Sequence, residues 1–158
     1  MILQRAWCMP RHKTFEIKPI RELLQKYNFD DSWADPFPYP YKRDALEYMQ
    51  SISSESIQGA VFDPPYSGKQ LKEMYESIGK SVDSDAGYWA KCRDEVSRII
   101  KPDGICISFG WNSTGITKSR GFEIIEILLV AHGGQHNDTI CTVEKKCITF
   151  SNECGVEK

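Results

Sequence analysis

Apolar residues recur along this chain in two rhythms, one of helices and one of buried strands. From Lys18 to Tyr27, Ile20, Leu23, Leu24 and Tyr27 fall at i, i+3, i+4 and i+7, one face of a helix whose first turn accommodates Pro19. Behind Asp44, a residue suited to cap a helix, Ala45, Leu46, Met49 and Ile52 predict a second. Gly59 to Phe62 reads as a strand. Leu71, Met74, Tyr75 and Ile78 give a third helix, and Trp89, Cys92, Val96, Ile99 and Ile100 a fourth, which the turn Lys101-Pro102-Asp103-Gly104 ends. Ile105 to Trp111 is an apolar run short enough for a buried strand. Two β-branched segments, Phe122 to Ala131 and Asp138 to Phe150, flank the glycine-bearing connection HGGQHN, the pattern of an antiparallel pair. Parallel βα units followed by a terminal hairpin predict a three-layer α/β domain over residues 1–150, with 151–158 as a tail.

Composition narrows this picture without redirecting it. A chain of 158 residues suits one domain. The formal net charge of −2 gives no global attraction to nucleic acid, so DNA contacts must come from local groups such as Lys69 and Lys72, or Lys118 and Arg120. The six cysteines include no CxxC pair, and neither a signal peptide nor a long apolar span is evident, so a cytoplasmic protein with reduced thiols and no membrane contact is expected. The spacing of His and Cys matches no standard zinc site, and no metal is expected.

The candidate chemistry lies where the first strand ends, at Asp63-Pro64-Pro65-Tyr66. In an open α/β sheet, ligands sit beyond the carboxyl ends of the strands. An exocyclic amine of a nucleobase is a poor nucleophile because its lone pair is delocalised into the ring. A carboxylate and a backbone carbonyl accepting its two N–H bonds favour the pyramidal, reactive form. Asp63 and the Pro64 carbonyl can do this, and the fixed φ of Pro64-Pro65 presets the direction of the carbonyls. Tyr66 can stack on a base taken out of the helix.

The DPPY tetrad resembles motif IV of the amino-methyltransferases that act on adenine N6 or cytosine N4 in DNA. Other segments fall in order around it. Thr14 to Tyr27, with Thr14, Phe15, Lys18 and Pro19, resembles motif X, which holds the methionine part of S-adenosyl-L-methionine (SAM). Asp35, Pro36 and Phe37 look like the opening of motif I, and Arg43 to Met49, with Asp44 and Ala45, is similar to the motif III segment whose acid meets the cofactor's adenine. A fuller likeness is to small, single-domain methyltransferases of phages and prophages. These carry a similar W-x-MP start, here Trp7 to Pro10, a DPPYS followed by glutamine, an SFGWNS strand end, and an AHGG-x-HNDTI hairpin, here Ala131 to Ile140. The resemblance implies a Rossmann-like class I methyltransferase domain, SAM as cofactor, and DNA as substrate in the cytoplasm of a bacterial or phage-infected host cell. It also implies DNA contacts from Ser67, Lys69, Lys72, Asn112, Lys118 and Arg120, with a homodimer or a partner as a further source of target recognition.

The chain departs from that pattern between Trp33 and Asp44. Motif I normally continues into a small-residue loop beneath the cofactor and a second strand ending in an acid. Here DPFPYPYKRD runs almost directly to Asp44, which implies a fold truncated around the second strand. Asp35 is either the opening of motif I or the ribose-binding acid of a chain that has lost it. Each residue also has a plainer role open to it: a strand end at Asp63, a helix start at Lys18-Pro19, an N-cap at Asp44, and a polar hairpin tip at His132, His136, Asn137 and Asp138. Three functions follow. Adenine-N6 methylation of DNA comes first, a noncatalytic DNA-binding or subunit-interaction homologue second, and methylation of an amide or amine in RNA or protein third. Asp63 speaks against the last, for which an asparagine-headed tetrad is usual.

Overall fold

The computed structural model describes residues 1–65, 67–81 and 86–148. Its elements are β1 (Ile2–Trp7), α1 (Lys18–Lys26), α2 (Ala45–Gln50), β2 (Ile57–Phe62), α3 (Gly68–Ser77), α4 (Ala86–Ile99), β3 (Ile100–Gly110), β4 (Phe122–Ala131) and β5 (Thr139–Lys146). The five strands form one sheet in the order β1-β4-β5-β3-β2. β1 runs parallel to β4 and β2 parallel to β3, while β5 lies antiparallel between β3 and β4. Four strands therefore point the same way, and their carboxyl ends share one edge.

The alternation of strand side chains sorts the core into two layers. Ala60, Phe62 and Cys106 face α2, α3 and α4, where they meet Met49, Leu71, Met74, Cys92 and Val96. Val61, Ile107, Phe109, Leu128, Val130, Cys141 and Val143 face the other way, against Ile20, Leu23 and Leu24 of α1. The result is the expected helix–sheet–helix sandwich, a Rossmann-like arrangement of parallel strands covered on both faces. Burying each of the α1 side chains Ile20, Leu23 and Leu24 stabilises the sandwich by roughly 1.5–3 kcal/mol. A polar clamp fixes the end of α1: the Lys26 ammonium and the Tyr27 hydroxyl both donate to Glu126 Oε2 of β4 at 2.6 Å, and Glu126 is fully buried.

Two features differ from the sequence expectation, at β1 and at β3, and a third follows it, between α1 and α2. Residues Ile2–Trp7 form a strand that carries no periodic signal, because β1 is an edge strand exposed on nearly all its side chains. The Lys101-Gly104 turn lies inside β3: Ile57 pairs with Ile100 and Gly59 with Ile105, so a short step on β2 faces a long excursion on β3, with Asp103 at φ 65. Between α1 and α2 no strand forms. One bridge remains, Ala34 beside Ala60, in which the Ala34 amide donates to the Gly59 carbonyl and the Val61 amide to the Ala34 carbonyl. Among the described residues no helix is long and apolar enough to cross a membrane.

Candidate active site

Leaving β2, the chain enters Asp63, Pro64 and Pro65 at the shared carboxyl edge of the sheet. The two prolines are a wall between two hollows. The larger, of about 640 Å³, is lined on one side by Asp63, Pro64 and Pro65 and on the others by Thr14 and Phe15, by Asp35 and Phe37, and by Tyr39 and Tyr41. The smaller, of about 260 Å³, is lined by the same prolines with Phe62, Trp89, Arg93, Ser108, Trp111 and Asn112. Two adjacent chambers meeting at one acid-bearing strand end suit a reaction between two bound molecules.

Of the residues singled out as cofactor-binding, Thr14, Phe15, Asp35 and Phe37 meet in the larger hollow with Asp63, Pro64 and Pro65. Pro36 is buried behind them and is not part of the lining. The rest stand elsewhere. Lys18 is exposed in the first turn of α1, 4.0 Å from Glu22, and Pro19 is partly buried beside it. Asp44 caps α2 by accepting from the Glu47 amide at 3.0 Å, and Ala45 packs into the core; neither lines a hollow. Tyr66 lies outside the described residues.

The DNA-contact candidates are dispersed. Ser67 caps α3 through the Gln70 amide, and the exposed Lys69 and Lys72 stand one helical turn from Glu73 and Glu76, at 3.8 and 3.9 Å. Asn112 accepts from the Thr114 amide and borders the smaller hollow. Lys118 is exposed, whereas Arg120 is tied to Asp94 at 2.7 Å and supports the turn beneath Ile116. Arg120 thus has a structural task that its sequence position did not reveal.

The electrostatics of the larger hollow are set by partial burial. Removal from water pushes the Asp35 carboxyl above the usual carboxylate range, against the pull of the Phe37 amide, which donates to Oδ1 at 3.1 Å, and of nearby Arg43. Burial also raises the Tyr41 phenol, with the charge of Asp63 adding to the effect, so Tyr41 stays a neutral donor across the physiological range. Beside the smaller hollow, the Glu144 carboxylate accepts from the Ile116 and Thr117 amides and so fixes the loop that follows Trp111.

The hollow also contains residues that the sequence reading passed over. Arg11, His12 and Lys13 border it, a basic run immediately ahead of Thr14, and Tyr39 and Tyr41 enter from the proline-rich segment. The signal for the first group was the RHK run; for the tyrosines there was only their proximity to Asp35. SAM, the cofactor implied by the resemblance, fits this set. Its volume class is that of a small-ligand site. A bound SAM would find Asp63 and aromatic faces for its cationic sulfonium and Asp35 for its ribose hydroxyls. Among the described residues no three His, Cys, Asp or Glu side chains gather as a metal site requires.

No family model matches the chain, and no curated protein is significantly similar to it. Among solved structures, a candidate DNA modification methylase from Thermus thermophilus aligns at a TM-score of 0.46 and 17% identity over 72% of this chain and 56% of that one. The same protein complexed with S-adenosyl-L-methionine aligns at 0.45 and 15% over 72% and 55%. TrmN from Thermus thermophilus gives 0.39 and 16% over 80% and 32%, and the [4+2]-cyclase SpnF 0.37 and 13% over 93% and 67%. The chain thus spans little more than half the length of the methylase it matches. Likeness at this level fixes neither activity nor ligand, and the fold stands on the sheet itself.

Proposed function

We propose that this chain is a SAM-dependent methyltransferase acting on an exocyclic base amine in DNA, adenine N6 in the first place. The observation that carries the reading is that Pro64 and Pro65 wall two hollows at the carboxyl edge of the sheet, with Asp63 beside them lining the larger one. When bound, SAM supplies a methyl group on a positively charged sulfur, and the larger hollow offers that cation carboxylates and aromatic faces. The acceptor amine enters from the smaller hollow, between Trp89 and Trp111, and meets the prolines from the other side. Once past the prolines, the amine would give one N–H to Asp63, which lines the larger hollow, and the other to the Pro64 carbonyl, localising the nitrogen lone pair toward the methyl carbon. As the new C–N bond formed and the sulfur–methyl bond broke to leave a neutral thioether, the nitrogen would become positive and release one proton toward Asp63 and solvent. Tyr66 is assigned the stacking role by the sequence resemblance alone.

The test is transfer of labelled methyl from SAM to duplex DNA, with the product identified as N6-methyladenine. Asp63→Ala is expected to lower turnover on the order of 10²-fold or more, because the lost hydrogen bond acts mainly in the transition state. An unchanged rate in a folded Asp63→Ala protein overturns the assigned role.

A second reading, a noncatalytic homologue that binds DNA or a subunit, is favoured by one observation: the strand before Asp35 is reduced to the single Ala34–Ala60 bridge. Absence of SAM binding with and without DNA supports that alternative.

A further inference from the structure

At the end of edge strand β1, Trp7 is 68% exposed and Met9 56%. Exposed tryptophans are usually held loosely, but this one stands on a built support. The Cys8 amide donates to the Ala131 carbonyl at 3.0 Å, continuing the β1–β4 pairing past Trp7. The Cys8 carbonyl lies 2.7 Å from Nδ1 of His132, a buried side chain. The other ring nitrogen of His132 meets the Thr139 hydroxyl at 2.9 Å, and its amide donates to Asp138 at 3.0 Å. Gly133, at φ 70, gives the indole room: a Cβ there would stand 3.2 Å from Trp7 Nε1. The hairpin tip that the sequence left without a task therefore fixes an apolar plate facing solvent.

Chemistry that could use the plate adjoins it. Two residues beyond Met9 the chain reaches Arg11, His12 and Lys13, all exposed, which border the larger hollow. Lys13 meets Glu16 at 3.2 Å in an exposed pair that a phosphate can displace. Farther along the same edge Trp111 is 53% exposed beside the smaller hollow. In the sheet order, Trp7 stands three strand positions from Trp111 and four from Asp63. At about 4.8 Å per strand these spans are roughly 14 and 19 Å, or about four to six nucleotides at a 3.4 Å rise.

We infer that Trp7, together with the basic run Arg11–Lys13, is a docking platform for a DNA strand whose reacting base enters the hollow bounded by Pro64 and Pro65. The inference rests on the proposed DNA-directed reading of that site. Trp7 stacks on a base upstream of the reacting one, and Arg11 and Lys13 take the intervening phosphates. Alternating flat apolar and cationic groups suit nucleic acid, whose bases offer π-faces and whose backbone carries a regular negative charge. This moves the main DNA contact away from Arg120, which is held by Asp94 at 2.7 Å and by the turn beneath Ile116.

The experiment titrates the full chain with a labelled DNA duplex carrying an unpaired adenine, over a series of salt concentrations. Trp7→Ala is expected to weaken binding by roughly 5- to 150-fold with the salt slope unchanged, and Trp7→Phe to restore most of it. Arg11→Ala is expected to lower the slope by roughly 0.7–0.9, one phosphate's worth. Lys101→Ala, an exposed lysine early in β3 away from both hollows, is the control and leaves both unchanged. Wild-type affinity in Trp7→Ala overturns the inference, as does a dimer in sedimentation that Trp7→Ala dissolves while DNA binding persists, since the plate then belongs to a second copy. Methyl transfer to DNA that is insensitive to Trp7→Ala sinks the platform and leaves the proposed function standing. Trp7-dependent DNA binding without methyl transfer does the reverse.

Discussion

Asp35 and Asp63 leave the sheet at neighbouring positions and border the same hollow, and burial raises the Asp35 carboxyl. A carboxyl whose folded-state pKa is raised binds its proton more tightly in the native state than in the unfolded chain. Its contribution to stability is therefore fully present below the unfolded pKa and is lost as pH rises through the folded one. Asp35→Asn keeps the Oδ1 acceptor for the Phe37 amide and removes the buried charge. The substituted protein is expected to be more stable than the parent at neutral pH, and its stability should fall less as pH rises through and just above the ordinary carboxylate range. Urea unfolding at a series of pH values measures this, and parallel curves for the two proteins contradict it. In the same substituted protein, SAM binding weakens if Asp35 takes the ribose hydroxyls, a separate readout that stability alone does not move.

Two short-range contacts decide how the elements around the site are held. Asp44 satisfies the Glu47 amide at the start of α2, a helix of six residues that depends on its cap. Asp44→Ala is expected to cost about 1 kcal/mol of stability, seen as a lower denaturant midpoint, while SAM affinity changes little because Asp44 lines neither hollow. A large loss of SAM affinity at unchanged stability returns Asp44 to the cofactor. Gly59 on β2 lies beneath the Trp33 indole, and a Cβ there would stand 2.5 Å from ring atoms. Gly59→Ala must displace Trp33, at a cost of roughly 1–3 kcal/mol. Because Trp33 adjoins Ala34 and Asp35, the displacement also disturbs the one bridge that carries Asp35 to the cavity. Thermal unfolding and SAM titration of Gly59→Ala should therefore worsen together.

Across the whole molecule, the short path from α1 to α2 is what distinguishes the proposed cofactor cradle. Pro36, Pro38 and Pro40 have no amide hydrogen, and the Phe37 amide is already donated to Asp35. Few backbone donors are left to face a ligand on that side. With each missing hydrogen bond worth about 0.5–1.5 kcal/mol, two or three of them weaken binding by roughly tenfold to a thousandfold. The isolated chain is expected to bind SAM weakly and to tighten when DNA closes the neighbouring hollow. Calorimetric titration with and without duplex DNA distinguishes this from tight binding by the chain alone, which would place the main cofactor contacts on residues not named above.

Local pattern was enough to determine α1, α2, α3 and α4 and the buried strands, β2 at the other edge included, because burial imposes a period of 3.6 or 2 on the residues that make it. It also drew attention to Asp63-Pro64-Pro65, which the structure sets at the carboxyl edge of the sheet, since the residue types that the proposed chemistry uses are contiguous there. β1 escaped because an exposed edge strand has no buried face to write a period. The sheet order escaped as well, and with it everything that depends on which strand ends are neighbours. Only the tertiary structure brought Asp35 to Asp63, set Arg11 and Lys13 on the rim, gave Asp44 to a helix end, and joined His132 to Cys8 across 124 residues. Such meetings are fixed by strand pairing between segments distant in the chain, and the pairing is chosen by the packing of both sheet faces at once. No single stretch of sequence carries that information.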